Sequence, residues 1–280
     1  AYMDFAKDKI PSLKSIYRNS SKLIKDSPEI LIPFIILTLM EILALIFIFL
    51  IPYIPLRQVL GPLIRAFWGE SFLHYPANFL LLPKLATFNR IALYIIFNLL
   101  FTAVALEIIR DTYHKKQIKI GEYFLLAIKN YLSILTLGLI TTLSFYLLYK
   151  LAILSLMKYF IATHKESAVD TQFIALCLNL IFGVILQSAF IYALPGLILA
   201  QERLSCAISQ SFLLFKKTFV TTLMLVGLPM LAYLPVITLN YNAAFLIQNE
   251  FPEIVLMALF LGIILNSLLI NPLITVSTTF

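Results

Sequence analysis

Long unbroken runs of apolar residues dominate this chain. Through 30–54, 91–109, 131–156, 173–199, 218–239 and 254–274, Ile, Leu and Phe follow one another with few polar interruptions. Neither the three-to-four-residue stripe of a surface helix nor the alternation of a half-buried strand organises these stretches. A hydrocarbon core of about 30 Å is crossed by roughly 20 such residues in helical form, each backbone polar group finding its partner within the segment. Membrane strands would alternate lipid-facing with lumen-facing positions. The expected fold class is therefore all-α: a single transmembrane domain over 1–280, a polytopic bundle of about six helices. The first run begins too late, and is too long, for a cleaved secretory signal, and is read as a retained helix.

The polar positions between the runs carry a second pattern. In the segment 1–29, Leu13, Ile16, Tyr17 and Ile24 fall near one helical face while Lys14, Arg18, Lys22 and Lys25 form a stripe, the make-up of an amphipathic helix lying in a membrane interface. Two later segments, around Ile120, Phe124, Ile128 and Tyr131 and around Leu204, Ile208, Phe212 and Phe215, are built alike. Each ends in two apolar residues, a lysine and a polar residue just before a span: Leu23-Ile24-Lys25-Asp26, Ala127-Ile128-Lys129-Asn130 and Leu214-Phe215-Lys216-Lys217. A threefold repeat of helical hairpins accounts for this, as does a composition shared by any loop at a bilayer surface; the unequal spacing leaves both open.

The connection 55–90 is apolar yet broken by Gly61, Pro62, Gly69, Pro76 and Pro83, and it holds the one Trp, Trp68, with His74 and Tyr75 nearby. Rings of Trp and Tyr settle at headgroup depth. The segment is expected to form an exterior apolar cap, either a lipid-soaked cover or a lid over an access path for lipid or substrate.

Charge sets the threading. The chain is 61% hydrophobic and 12% charged, with 21 Lys and Arg against 14 Asp and Glu. Most of these cations lie before the first span, between the second and third (Arg110, Lys115, Lys116, Lys119, Lys129) and between the fourth and fifth (Arg203, Lys216, Lys217). Short loops rich in Lys and Arg stay in the cytoplasm, so both termini are expected there. The three amphipathic segments then lie on the cytoplasmic side of a membrane, read as a prokaryotic inner membrane. The excess of +7 is accounted for by anionic lipid headgroups, at about 1 kcal/mol per cation, without nucleic acid. Membrane lipids and other membrane-protein subunits are the expected partners.

Chemistry is sought inside the runs, where an ionisable side chain is costly. Glu41 stands eleven residues into the first run and is the leading candidate, as an interhelical hydrogen-bond partner or as a proton or substrate site. Asn98, Asn179, Gln187 and Asn266 are candidates for the same polar layer, with bonding between helices as the plainer role, at about 1 kcal/mol each. Lys150 lies near a helix end and can snorkel to water. His74, His114 and His164 are far apart on connections, so no metal site is expected; Cys177 and Cys206 suggest no disulfide. No Walker loop, dinucleotide fingerprint, HExxH or GxSxG is present, and no cofactor or catalytic residue is expected. Glycine is scarce, 8 in 280, and bends are expected at Pro33, Pro195, Pro229, Pro235 and Pro272.

The stretch from Pro195-Gly196 through Gln201-Glu202-Arg203 to Ala207-Ile208-Ser209-Gln210-Ser211 and Lys216-Lys217 joins a proline-ended span, a small polar break and a basic helix leading to the next span. With Ser20-Ser21-Lys22-Leu23-Ile24-Lys25-Asp26-Ser27-Pro28, it resembles six-helix bacterial and archaeal membrane families, including the YciC-like proteins and the membrane domain attached to some glycerophosphodiester phosphodiesterases. The resemblance implies an inner-membrane location and carries over no catalytic residue. The expected function is a non-enzymatic integral membrane subunit or scaffold that handles lipids; a secondary transporter using Glu41 and a lipid-modifying membrane enzyme are the alternatives.

Overall fold

The computed structural model describes residues 12–155, 158, 168–249 and 251–279; Lys7, Lys9, His164 and Lys165 lie outside them. All regular elements among the described residues are helices. Five are long and apolar enough to cross a membrane, and a sixth crossing is reached if one bent pair counts as a single span.

Helix α1, Leu13–Asp26, opens on Ser12, whose side chain accepts from the Ser15 N–H, and closes with Lys25 in its last turn, the favourable sign for a cation at that end. Ile16 and Ser20 are buried while Lys14, Arg18, Lys22 and Lys25 are exposed. A 3₁₀ turn, Pro28–Leu31, leads into α2, Ile32–Phe49, where Pro33 sits in the first turn and so removes no hydrogen bond. After α3, Leu56–Phe67, and a 3₁₀ turn, Glu70–Leu73, helix α4 runs unbroken for 36 residues, Asn78–Tyr113. The sequence places this second span at 91–109; it starts thirteen residues earlier because Pro83 is accommodated inside the helix rather than ending it. A π-turn, Tyr94–Asn98, lies within α4.

Next come α5, Ile120–Lys129, and α6, Tyr131–Leu148, which continues through a second π-turn, Tyr149–Ile153. Then follow α7, Ala168–Phe190, and α8, Ala193–Ile198. Helix α9, Leu204–Lys217, meets α10, Phe219–Leu231, at 97°. The run 218–239 is not one rod: α10 stops at Leu231 and α11, Leu234–Tyr241, follows. Pro229 and Pro235 each lack the N–H an interior turn requires. Helix α12, Ala243–Asn249, precedes the last span, α13, Glu253–Ser277, with a third π-turn at Leu265–Ile270 just before Pro272.

Short helices α1, α5 and α9 each lead directly into a more apolar helix, α2, α6 and α10. The three short helices meet at one end of the bundle. Leu23 and Ile24 of α1, Tyr123 and Ala127 of α5 and Ala207 of α9 join one buried cluster with the inner part of α4, Ile134, Leu137, α8 and Val276. At the opposite end α3 and the turn after it form a smaller cluster, Ile51, Ile64, Leu73 and Leu81, packed by Trp68. Between spans, Gly138 lets α6 approach α4: a Cβ there would stand 3.3 Å from the Ile95 carbonyl oxygen, in the π-turn.

Candidate functional site

Four chain segments bring polar groups together at mid-depth of the bundle. Counting about 1.5 Å per helical residue, Glu41 lies roughly 16 Å along the chain from Ile30 and Ser267 about 15 Å from Ser277, so the two sit at similar height above the end where α1 docks. The Ser267 hydroxyl donates to Glu41 Oε2 at 2.6 Å, and Glu41 is 5% exposed. Such a hydrogen bond contributes about 0.5–1.5 kcal/mol net with a neutral acid and about 1.5–3 kcal/mol with an ionised one. It therefore fixes α2 against α13.

Arg90 of α4 faces the same place. Arg90, Glu41 and Asn89 together line a small cleft walled by Leu45, Ile48, Leu259 and Ile263. The cleft is the size of about one water. Among the described residues Arg90 and Glu41 form no direct ion pair; instead Arg90 Nη1 donates to Tyr233 Oη at 2.6 Å, with the guanidinium 5.6 Å from that ring's centre. Tyr233 lies in the break between α10 and α11. It comes this close to α13 because residue 262 is glycine: a Cβ there would be 3.0 Å from Tyr233 Oη and 2.8 Å from Val236 Cγ1.

Of the residues singled out from sequence, Glu41 alone lines this cleft. Asn98 ends the π-turn of α4, and its carbonyl and Oδ1 accept from Thr102 Oγ1. Asn179 Oδ1 is buried without a partner among the described residues, and Gln187 and Asn266 are half-buried. Lys129, Lys216 and Lys217, like the four cations of α1, are exposed. Trp68 is half-buried, while His74 and Tyr75 are exposed, His74 Nε2 lying 3.5 Å from Arg57 Nη2. Arg90, Ser267 and Tyr233 were missed. Arg90 falls at the far edge of the sequence-defined cap, and Ser267 meets an acid 226 positions away. The adjacent pair Asn89-Arg90, within a stretch that one proline fails to break, was the available signal.

A second polar group sits where α5 docks on α4. Arg110 pairs with Glu107 and, at 3.2 Å, with Asp111; Tyr123 Oη donates to Asp111 Oδ2 at 2.8 Å. Burial, followed by the Asp111 carboxylate it bonds, pushes the Tyr123 phenol above its usual range. These bonds hold the basic loop between α4 and α5. No group of three His, Cys, Asp or Glu with metal-binding geometry occurs among the described residues, and Cys177 and Cys206 form no disulfide. No protein-family model, curated protein or solved structure matches the chain.

Proposed function

We propose that the chain is a polytopic inner-membrane protein, a non-enzymatic integral subunit that holds anionic lipid at its cytoplasmic end. One observation carries this reading: the long helices turn large aliphatic side chains outward, while exposed cations crowd the end where α1, α5 and α9 meet. Leu39, Leu43 and Ile46 of α2, Leu139 and Leu143 of α6 and Met257 and Leu261 of α13 are all exposed. Water does not tolerate a continuous apolar surface of this kind on a stable monomer, whereas acyl chains do. Cations at the opposite face of the same molecule fit a cytoplasmic leaflet and its anionic headgroups.

Single cysteines in a background free of Cys177 and Cys206 test it. An impermeant thiol reagent applied to intact cells is expected to reach a cysteine at His74 and not one at Lys217, with the reverse in inverted vesicles. Labelling of Lys217→Cys from outside the cell overturns the orientation, and recovery of lipid-free protein from the aqueous phase overturns the membrane reading.

A second reading, a transporter using Glu41, is favoured by the cleft beside that acid and by the interrupted fifth span, since broken helices at mid-membrane are where transporters build their sites. A lipid-modifying enzyme gains no support from the cap, where His74 and Glu70 are exposed and lie against Arg57 and Arg65.

A further inference from the structure

We propose that Glu41 is a proton-binding site within the membrane, and that Arg90 and Tyr233 couple its charge to the break between α10 and α11. The inference rests on the membrane-spanning reading above and is independent of lipid preference.

Glu41 is buried, and Ser267 is its one hydrogen-bond donor among the described residues. A buried carboxylate with a single neutral donor is poorly compensated. It acquires stability in one of two ways: by taking a proton or by drawing in a cation. Both are at hand. The adjoining cleft admits about one water, which delivers or removes the proton, and Arg90 lines that cleft. The charged and titratable groups that face Glu41 are few. Arg90 comes from α4, and Tyr233 stands behind it in the chain break; α13 offers the neutral Ser267 among aliphatic Leu259 and Ile263. Lys84, further up α4, is exposed.

Arg90 is the shared element. When Glu41 holds a proton it exerts no charge on Arg90, whose guanidinium then rests on the Tyr233 hydroxyl. When a water in the cleft takes that proton away, the carboxylate attracts Arg90 and weakens its hold on Tyr233. The two helices on either side of residue 233 lose a tether. A proton is bound or released at one oxygen, and no other covalent bond is made or broken; the Arg90–Tyr233 hydrogen bond is what loosens.

The full-length protein in lipid nanodiscs provides the test. Dicyclohexylcarbodiimide, an apolar reagent that modifies protonated carboxyl groups, is applied between about pH 5 and about pH 9, spanning the titration of ordinary and raised carboxyl groups. Adducts are mapped by mass spectrometry. The expected result is an adduct on Glu41 that falls several-fold with rising pH, is absent from Glu41→Gln, and persists to higher pH in Arg90→Gln. Ser267→Ala, which keeps the acid, retains the adduct. Hydrogen exchange over 229–236, compared with Glu41→Gln at the same pH to remove the intrinsic effect, is expected to rise several-fold as Glu41 ionises. An unmodified Glu41 at every pH in a protein that elutes as a folded species, or an adduct indifferent to pH, overturns the proton site. Exchange that tracks Glu41→Gln throughout overturns the coupling. Neither outcome depends on which side of the membrane the thiol reagent reaches, so the two readings fail separately.

Discussion

Tyr17 repairs a defect that a proline creates. Pro229 has no N–H to give the carbonyl four residues earlier, that of Leu225, and the Tyr17 hydroxyl donates to that oxygen at 3.0 Å and to the Met224 oxygen at 3.1 Å. Tyr17→Phe strands a part-buried acceptor, at about 1–3 kcal/mol, and is expected to lower the melting temperature in detergent, with α1 becoming the first segment cut by protease. Burial pushes the Tyr17 phenol up to about 12, and Tyr123 is raised as well. A raised phenol contributes stability that is complete below its unfolded value, about 10, and that is lost as pH climbs through the folded value. Thermal melts between those limits should therefore show an alkaline decline that is smaller in Tyr17→Phe and in Tyr123→Phe. At this scale the sequence was legible in part. Glu41 declared itself because an acid in an apolar run is costly wherever it points, and the stripe of Lys14, Arg18, Lys22 and Lys25 did so by its period. The partners Ser267, Tyr233 and Arg90 did not, because a hydroxyl in a membrane helix is commonplace and its distant neighbour is set by packing alone.

At the scale of elements, glycine is spent at close crossings. Gly262 admits Tyr233 and Val236 against α13, so Gly262→Ala forces a β-branched side chain aside and is expected to cost about 1–3 kcal/mol of overpacking, read as a lower melting temperature together with faster proteolysis at 232–233. Gly227, which faces Val184 at an ordinary 3.5 Å, is the control: Gly227→Ala should leave both readouts nearly unchanged. The apolar runs marked the long helices well, since length and hydropathy are local properties. One boundary escaped. Pro83 reads as a breaker, yet α4 carries it and continues from Asn78. The run 218–239 is expected to bend at Pro229 and Pro235, and it is between these two prolines that the helix divides. Whether a proline ends, bends or interrupts a helix depends on what takes up the freed carbonyl, and that partner is remote in the chain.

Across the whole molecule the two ends differ in kind: one gathers three short helices and their exposed cations, the other an apolar cap with Arg57, Arg65, Glu70 and His74 on its surface. Each cation near an anionic leaflet is worth about 1 kcal/mol. Replacing Lys14, Arg18, Lys22 and Lys25 together with Gln should accordingly reduce the anionic phospholipid co-purifying with the protein by severalfold, measured by native mass spectrometry, while α1 stays docked through Ile16, Ser20 and Tyr17. The Ser277 hydroxyl, 3.1 Å from that of Ser20, ties the first helix to the last and would be untouched.

Helix α4 reaches from the cap to the Glu107–Arg110–Asp111 cluster as one continuous helix, with Pro83 and a π-turn along its length, about 54 Å at 1.5 Å per residue. A hydrocarbon layer of about 30 Å would take up little more than half of that length. A displacement of the cap is therefore expected to reach that cluster as a tilt or a slide of α4, softened where Pro83 and the π-turn let the helix bend, with Arg90 carried between those two points.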